Sequence, residues 1–140
     1  MRVTEKVVES VLVPELERFA AELRREYPKV RIGVVSSPVG SKTDHQGHVV
    51  GVECLFEARP AEQPDLLVLE IGVRHLATHP EIHAADVVWG HPSGQCEASI
   101  LKQPTPLSDE RLGELVRNLP TLYQALRVAL ERGTPGSGAC

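Results

Sequence analysis

The stretch Asp65-Leu66-Leu67-Val68-Leu69-Glu70-Ile71-Gly72-Val73-Arg74 decides the fold. Leu67, Leu69, Ile71 and Val73 fall on one side of an extended chain, with Val68, Glu70 and Gly72 on the other. That is the alternation of a strand buried on one face, because successive side chains point to opposite faces of a sheet. Two upstream stretches repeat it. Val30, Ile32 and Val34 share a face in Val30–Ser37, and Val50, Val52, Cys54 and Phe56 share one in His48–Ala58.

Downstream, Leu76–Ala84 reads as a short helical connector, since His79-Pro80-Glu81 puts proline at a first helical position with an acid behind it. A hairpin follows: Ala85–Gly90 and Gln95–Leu101, turned by Pro92-Ser93-Gly94. With Gly90 facing Gln95, Trp89 faces Cys96, Val87 faces Ala98 and Ala85 faces Ile100, all on one apolar side.

Helices close both ends. Val8, Leu12, Leu16, Phe19, Leu23 and Tyr27 recur at three- and four-residue steps over roughly residues 4–27. Pro14 kinks or restarts that helix, and Pro28 ends it. Ser108 is placed to cap the last helix, whose stripe is Leu112, Leu115, Leu119, Leu122, Leu126 and Ala129, with Pro120 bending it midway. The expected order is α-β-β-β-α-β-β-α. It describes an α+β domain over residues 1–132: a five-stranded antiparallel sheet with the N- and C-terminal helices on one face. The Gly/Pro/Ser-rich stretch 133–140 is expected to be a disordered tail.

Size and charge bound the rest. The chain has 140 residues, 41% hydrophobic and only 4% aromatic, enough for one packed core without metals or disulfides. A net charge of -4 disfavours nucleic acid or an anionic membrane as partner, both of which select clustered positive charge. Three cysteines, Cys54, Cys96 and Cys140, make no dense even set. No stretch reaches the ~20 apolar residues that span a bilayer. A reducing cytoplasm is the expected location.

The face away from the helices carries the functional question. Matching the apolar sides suggests Ile32 opposite Val52 opposite Ile71, which puts Gly33, Gly51 and Gly72 in one row and Arg31, Glu53 and Glu70 in the next. Aligned glycines allow a sheet to curve, or open a groove for a ligand or another backbone. Two opposed carboxylates would raise one another's pKa, as catalytic pairs do, but Arg31 beside them turns the row into an ordinary ion cluster. Val35, Val49, Leu55, Leu66, Val68 and Val88 share this face, a patch large enough to need a cover. A second copy of the chain is the default cover, with a protein partner or a small molecule as the alternatives.

The chemistry-bearing residues give weaker signals. His75, His79 and His83 have the spacing of a helical metal face, but Pro80 breaks the helix that spacing needs and HExxH is absent, so no metal is expected. Cys54 and Cys96 both point to the apolar side in this alignment, where thiols are inert. Gly40-Ser41-Lys42-Thr43 lacks the Gly-Lys step of a phosphate loop and is followed by a strand.

In element order, size and acidity, residues 4–131 resemble the type III secretion chaperones. The resemblance implies a cytoplasmic dimer that binds an unfolded stretch of a secreted protein, with the uncovered sheet face and the connector as surfaces for dimerisation or client binding. The reading that emerges is a non-catalytic, homodimeric protein-binding module without a cofactor. Its rival is a small ligand-binding protein or enzyme that uses the glycine groove with Arg31, Glu53 and Glu70.

Overall fold

A computed structural model describes residues 6, 8–35, 42–43, 49–59, 66–76, 79–90 and 95–133. A π-helical turn, Val8–Leu12, runs into helix α1, Val13–Glu26. The strands are β1 Arg31–Val35, β2 Lys42–Thr43, β3 Val49–Arg59, β4 Leu67–Leu76, β5 His79–Trp89, β6 Gln95–Ser99 and β7 Thr105–Pro106, and helix α2, Asp109–Arg132, ends the fold. The strands form one antiparallel sheet in the order β1-β3-β4-β5-β6, with β2 extending the β1 edge along β3 and β7 extending the β6 edge along β5. The α+β class and the terminal helices are as the sequence implies.

Both proline-bearing helices follow local chemistry. Pro14 is the second residue of α1, directly after the π turn, and lacks the N–H that would bond back into that turn, which is where the winding changes from π to α. Ser108 caps α2: its hydroxyl accepts a 3.1 Å bond from the Arg111 amide. Pro120 stands inside α2 on its exposed side. Gly133 closes that helix in the left-handed conformation at φ 77°, its amide donating to the Ala129 carbonyl.

The helices cover one face of the sheet, and the main core lies between. Leu16, Phe19 and Leu23 of α1 and Leu119, Leu122 and Leu126 of α2 meet Phe56, Leu69, Ile71 and Val87, all fully buried. The Phe19 ring stacks on Tyr123 at 3.8 Å and lies 5.2 Å from Phe56, joining both helices to the sheet.

The connector helix expected over Leu76–Ala84 is a strand instead. Ile82 and Ala85 both face the core, three residues apart, because His83 is an extra residue between the pairs Gly72–Ala84 and Val73–Ile82. A bulge converts a period of two into a local spacing of three, which mimics a helical face. The hairpin register also differs. A second bulge pairs Trp89 with Gln95 and Val88 with Cys96 while keeping Val87 opposite Ala98. Cys96 therefore belongs to the face away from the helices, not beside Trp89.

Candidate functional site

Read across the sheet, the face away from the helices has defined rows. Arg31 stands opposite Arg59. Next come Gly33, Glu57, Val68, Val88 and Cys96, then Val35, Leu55, Glu70, Asp86 and Ser99. Glu53 is opposite Gly72, which is opposite Ala84, and Gly51 is opposite Arg74, which is opposite Glu81.

The three glycines therefore share a face but not a row. Ile32 pairs with Ala58, six residues along from Val52, and Ile71 pairs with Cys54, two along. Side-chain parity survives such slips; row membership does not. Arg31 is separated from Glu53 and Glu70, and the Arg31–Glu53–Glu70 cluster is not formed. Arg31 and Gly33 instead border a shallow cleft of about 270 Å³ with Glu57, Arg59 and Leu66. Nothing lies within 4 Å of where a Gly33 Cβ would stand, so that glycine leaves the cleft open.

Gly72 has a different purpose. A Cβ built there would come within 2.6 Å of His83 Cε1 and Nε2. The imidazole of the bulged residue thus lies against the Gly72 backbone, with its Nδ1 buried. Only glycine permits so close an approach. Beyond that ring, Glu70 is only 8% exposed and stands opposite Asp86, which accepts a 2.7 Å bond from the Ser99 hydroxyl. Arg74 Nε donates at 2.6 Å to Glu81 across the same pair of strands. His75 and His79 lie on adjacent strands at the β4–β5 end, and the three histidines share no helix. Among the described residues no group of three or more metal-ligating side chains is assembled.

Apolar residues hold the other end of this face. Leu55 and Val88 are 8% exposed and Val68 is 0% exposed, with Val35, Leu66 and Cys96 packed around them. The side chain of Val49 lies outside the described residues. The cluster is the one the sequence placed here, but it is not the bare patch expected. Its centre is already dry in the single chain, and among the described residues Val128, on α2, is the exposed large hydrophobic.

Nucleophiles on the described chain are restrained. Cys54 is a free thiol in the main core, and burial pushes it up to about 12, so it stays protonated. Cys96 is disulfide-bonded. The Ser99 hydroxyl donates directly to the Asp86 carboxylate at 2.7 Å. Between β7 and α2 a second cavity of about 260 Å³ is lined by Ile82, Leu101, Lys102, Arg111, Glu114 and Asn118 among others, and Arg111 there is paired to Glu114 at 2.9 Å.

No family model matches the chain, and neither a curated protein nor a solved structure matches it. No helix among the described residues is long and apolar enough to cross a membrane.

Proposed function

We propose that this chain is a non-catalytic protein-binding module that pairs first with a second copy of itself through the face away from its helices. The observation that supports this is the composition of that face. Leu55, Val68 and Val88 form a second apolar cluster separate from the main core, and its margins, Val35, Leu66 and Cys96, are only partly buried. Val35 lies on one edge strand and Cys96 on the other, so the cluster crosses the whole sheet. A single domain needs one core; a second cluster reaching both edges suits a self-complementary contact. The dry centre limits what a partner gains by covering it, and the margin residues are where contact would form.

A client segment, as the resemblance to secretion chaperones implies, is a form of the same reading. The chain departs from that layout by having a strand where the connecting helix was expected. The glycine-groove alternative needed three glycines in one row, and the register disperses them.

Light scattering at micromolar concentration tests the proposal. A particle of twice the 15.3 kDa chain mass is expected, and Leu66→Asp should return it to one chain mass while the circular dichroism spectrum stays that of the folded chain, since Leu66 is a margin residue. A particle of one chain mass at every concentration overturns the reading, as does a dimer indifferent to Leu66→Asp.

A further inference from the structure

We infer that the cavity between β7 and α2 is a binding site for a short aliphatic carboxylate, with Lys102 and Arg111 taking the acid group. The backbone builds the space. The Ile100 amide donates at 3.1 Å to the Ala85 carbonyl of β5, and Thr105 pairs with Ile82 of the same strand. Between those two anchors β5 has only His83 and Ala84, whereas the outer chain has four residues, Leu101 through Pro104. The surplus is taken up in a bend at Lys102 and Gln103. The Thr105 hydroxyl donates at 3.3 Å to the Gln103 carbonyl, and Pro104 has its φ fixed by the ring, so the bend is held from within. Helix α2 makes the opposite wall. Its Ser108 cap fixes the first turn, and Arg111, Glu114, Leu115 and Asn118 follow at three- and four-residue steps that share one helical face.

The floor of this cavity is aliphatic. Ile82 and Leu115 are buried members of the main core, and Ile100 and Leu101 are partly buried against it. A hydrocarbon chain gains by leaving water there. None of the described lining side chains is aromatic, so a nucleobase would find no ring to stack on. The volume, about 260 Å³, lies just below the roughly 300–1,000 Å³ of sites for drug-sized ligands, which restricts the chain to a short one.

The mouth is charged. Lys102 and Arg111 bring two positive charges against the one negative charge of Glu114, which leaves one positive charge in excess. The 2.9 Å bond from Arg111 to Glu114 uses one of the five donors of the guanidinium. Among the described residues Lys102 has no ion-pair partner. One carboxylate balances that excess and accepts charge-assisted bonds from both side chains; a phosphate dianion would leave a charge uncompensated beside an apolar floor. The cavity lies on the helix side of the sheet, away from the face proposed for self-association, so this inference goes beyond that reading and does not depend on it.

Titration of the ¹⁵N-labelled full chain with isocaproate tests the site. The amide signals of Ile100, Leu101, Thr105 and Leu115 should move together and saturate. Acetate keeps the charge without the hydrocarbon body and should bind more than about tenfold more weakly, as the lost methylene contacts imply. Isocaproamide keeps the body without the charge and should also bind about tenfold more weakly. Lys102→Gln and Arg111→Gln should each weaken isocaproate binding by about tenfold, the loss of one charge-assisted hydrogen bond, with an unchanged circular dichroism spectrum because both side chains are exposed. Arg117→Gln, on α2 but outside the lining, should leave the affinity unchanged. The inference is overturned by the absence of a saturable shift, by shifts confined to other residues, by an amide or acetate that binds as tightly as isocaproate, or by an equal loss in Arg117→Gln. Light scattering keeps the two proposals apart. A chain that binds isocaproate and never dimerises sinks the proposed function alone, and a dimer that does not bind it sinks the carboxylate site alone.

Discussion

At the scale of single residues, Gly72 and His83 are one device. The bulge frees an extra residue from pairing, and the imidazole then settles where a neighbouring strand lacks a side chain. Gly72→Ala should force the ring away and cost about 1–3 kcal/mol, the usual range for overpacking a tight site. In a His83→Ala background the obstructing atoms are gone, and the same change should cost well under half as much. Urea unfolding of the four proteins of this cycle gives the coupling directly. Equal costs in both backgrounds would show that the close approach carries no energetic weight. Nothing in the sequence announces this pair: His83 looks like the third member of a histidine series and Gly72 like one of three strand glycines.

At the scale of elements, what the sequence discloses depends on how strictly a pattern's period is kept. Cys54, Phe56, Leu67, Leu69, Ile71 and Val73 alternate without interruption, and all six are fully buried on the helix side. The helical stripes are as legible, from Leu12 through Leu23 and from Leu115 through Ala129. Alternation fixes only parity, so the register of β1 against β3 slipped by six residues; the intervening segment, which includes β2, is too long for a tight turn to set it. Bulges hide more, since each adds a residue that breaks the count. His83 made a strand look helical, and Glu97 moved Cys96 to the other face. The remaining irregularity is Pro120, exposed in the middle of α2, where it withholds an N–H from the carbonyl of Val116. Because its side chain makes no part of the buried core, Pro120→Ala should stabilise the protein by about 1–3 kcal/mol, up to the interior helix propensity difference. A raised urea midpoint with an unchanged slope is the expected outcome; a lowered one would mean that the helix must bend there to follow the sheet.

At the scale of the whole molecule, the two helices are distant in sequence but are held as one layer by a polar seam above the Phe19–Tyr123 stack. Arg127 reaches from α2 to Glu22 at 2.7 Å and to Glu26 at 3.1 Å, its guanidinium 5.2 Å from the centre of the Phe19 ring. The Tyr123 hydroxyl donates at 3.1 Å to Glu15, which also binds Arg18 at 2.7 Å. The Arg18 hydrogen bond, then its charge and the Tyr123 hydroxyl, hold the Glu15 carboxyl below its ordinary value, against a raising effect of burial. Arg127 does the same for Glu26. A carboxyl depressed in the folded state stabilises it fully above the unfolded pKa and loses that contribution as pH falls through the folded value. The seam should therefore hold at neutral pH and weaken below about pH 4.3, the ordinary glutamate value. Glu26 is exposed and Glu15 is partly so, and solvent screening keeps each contribution small. Glu15→Gln with Glu26→Gln should lower stability modestly at pH 7, and the gap from the unaltered protein should close as the pH approaches 3. Thermal unfolding followed across that range checks it, and a gap that stays constant with pH would show that the seam acts through packing and neutral hydrogen bonds instead of charge. Because the seam lies on the helix side and the apolar cluster on the other, acid should loosen the helix layer without first disturbing the face proposed for the partner.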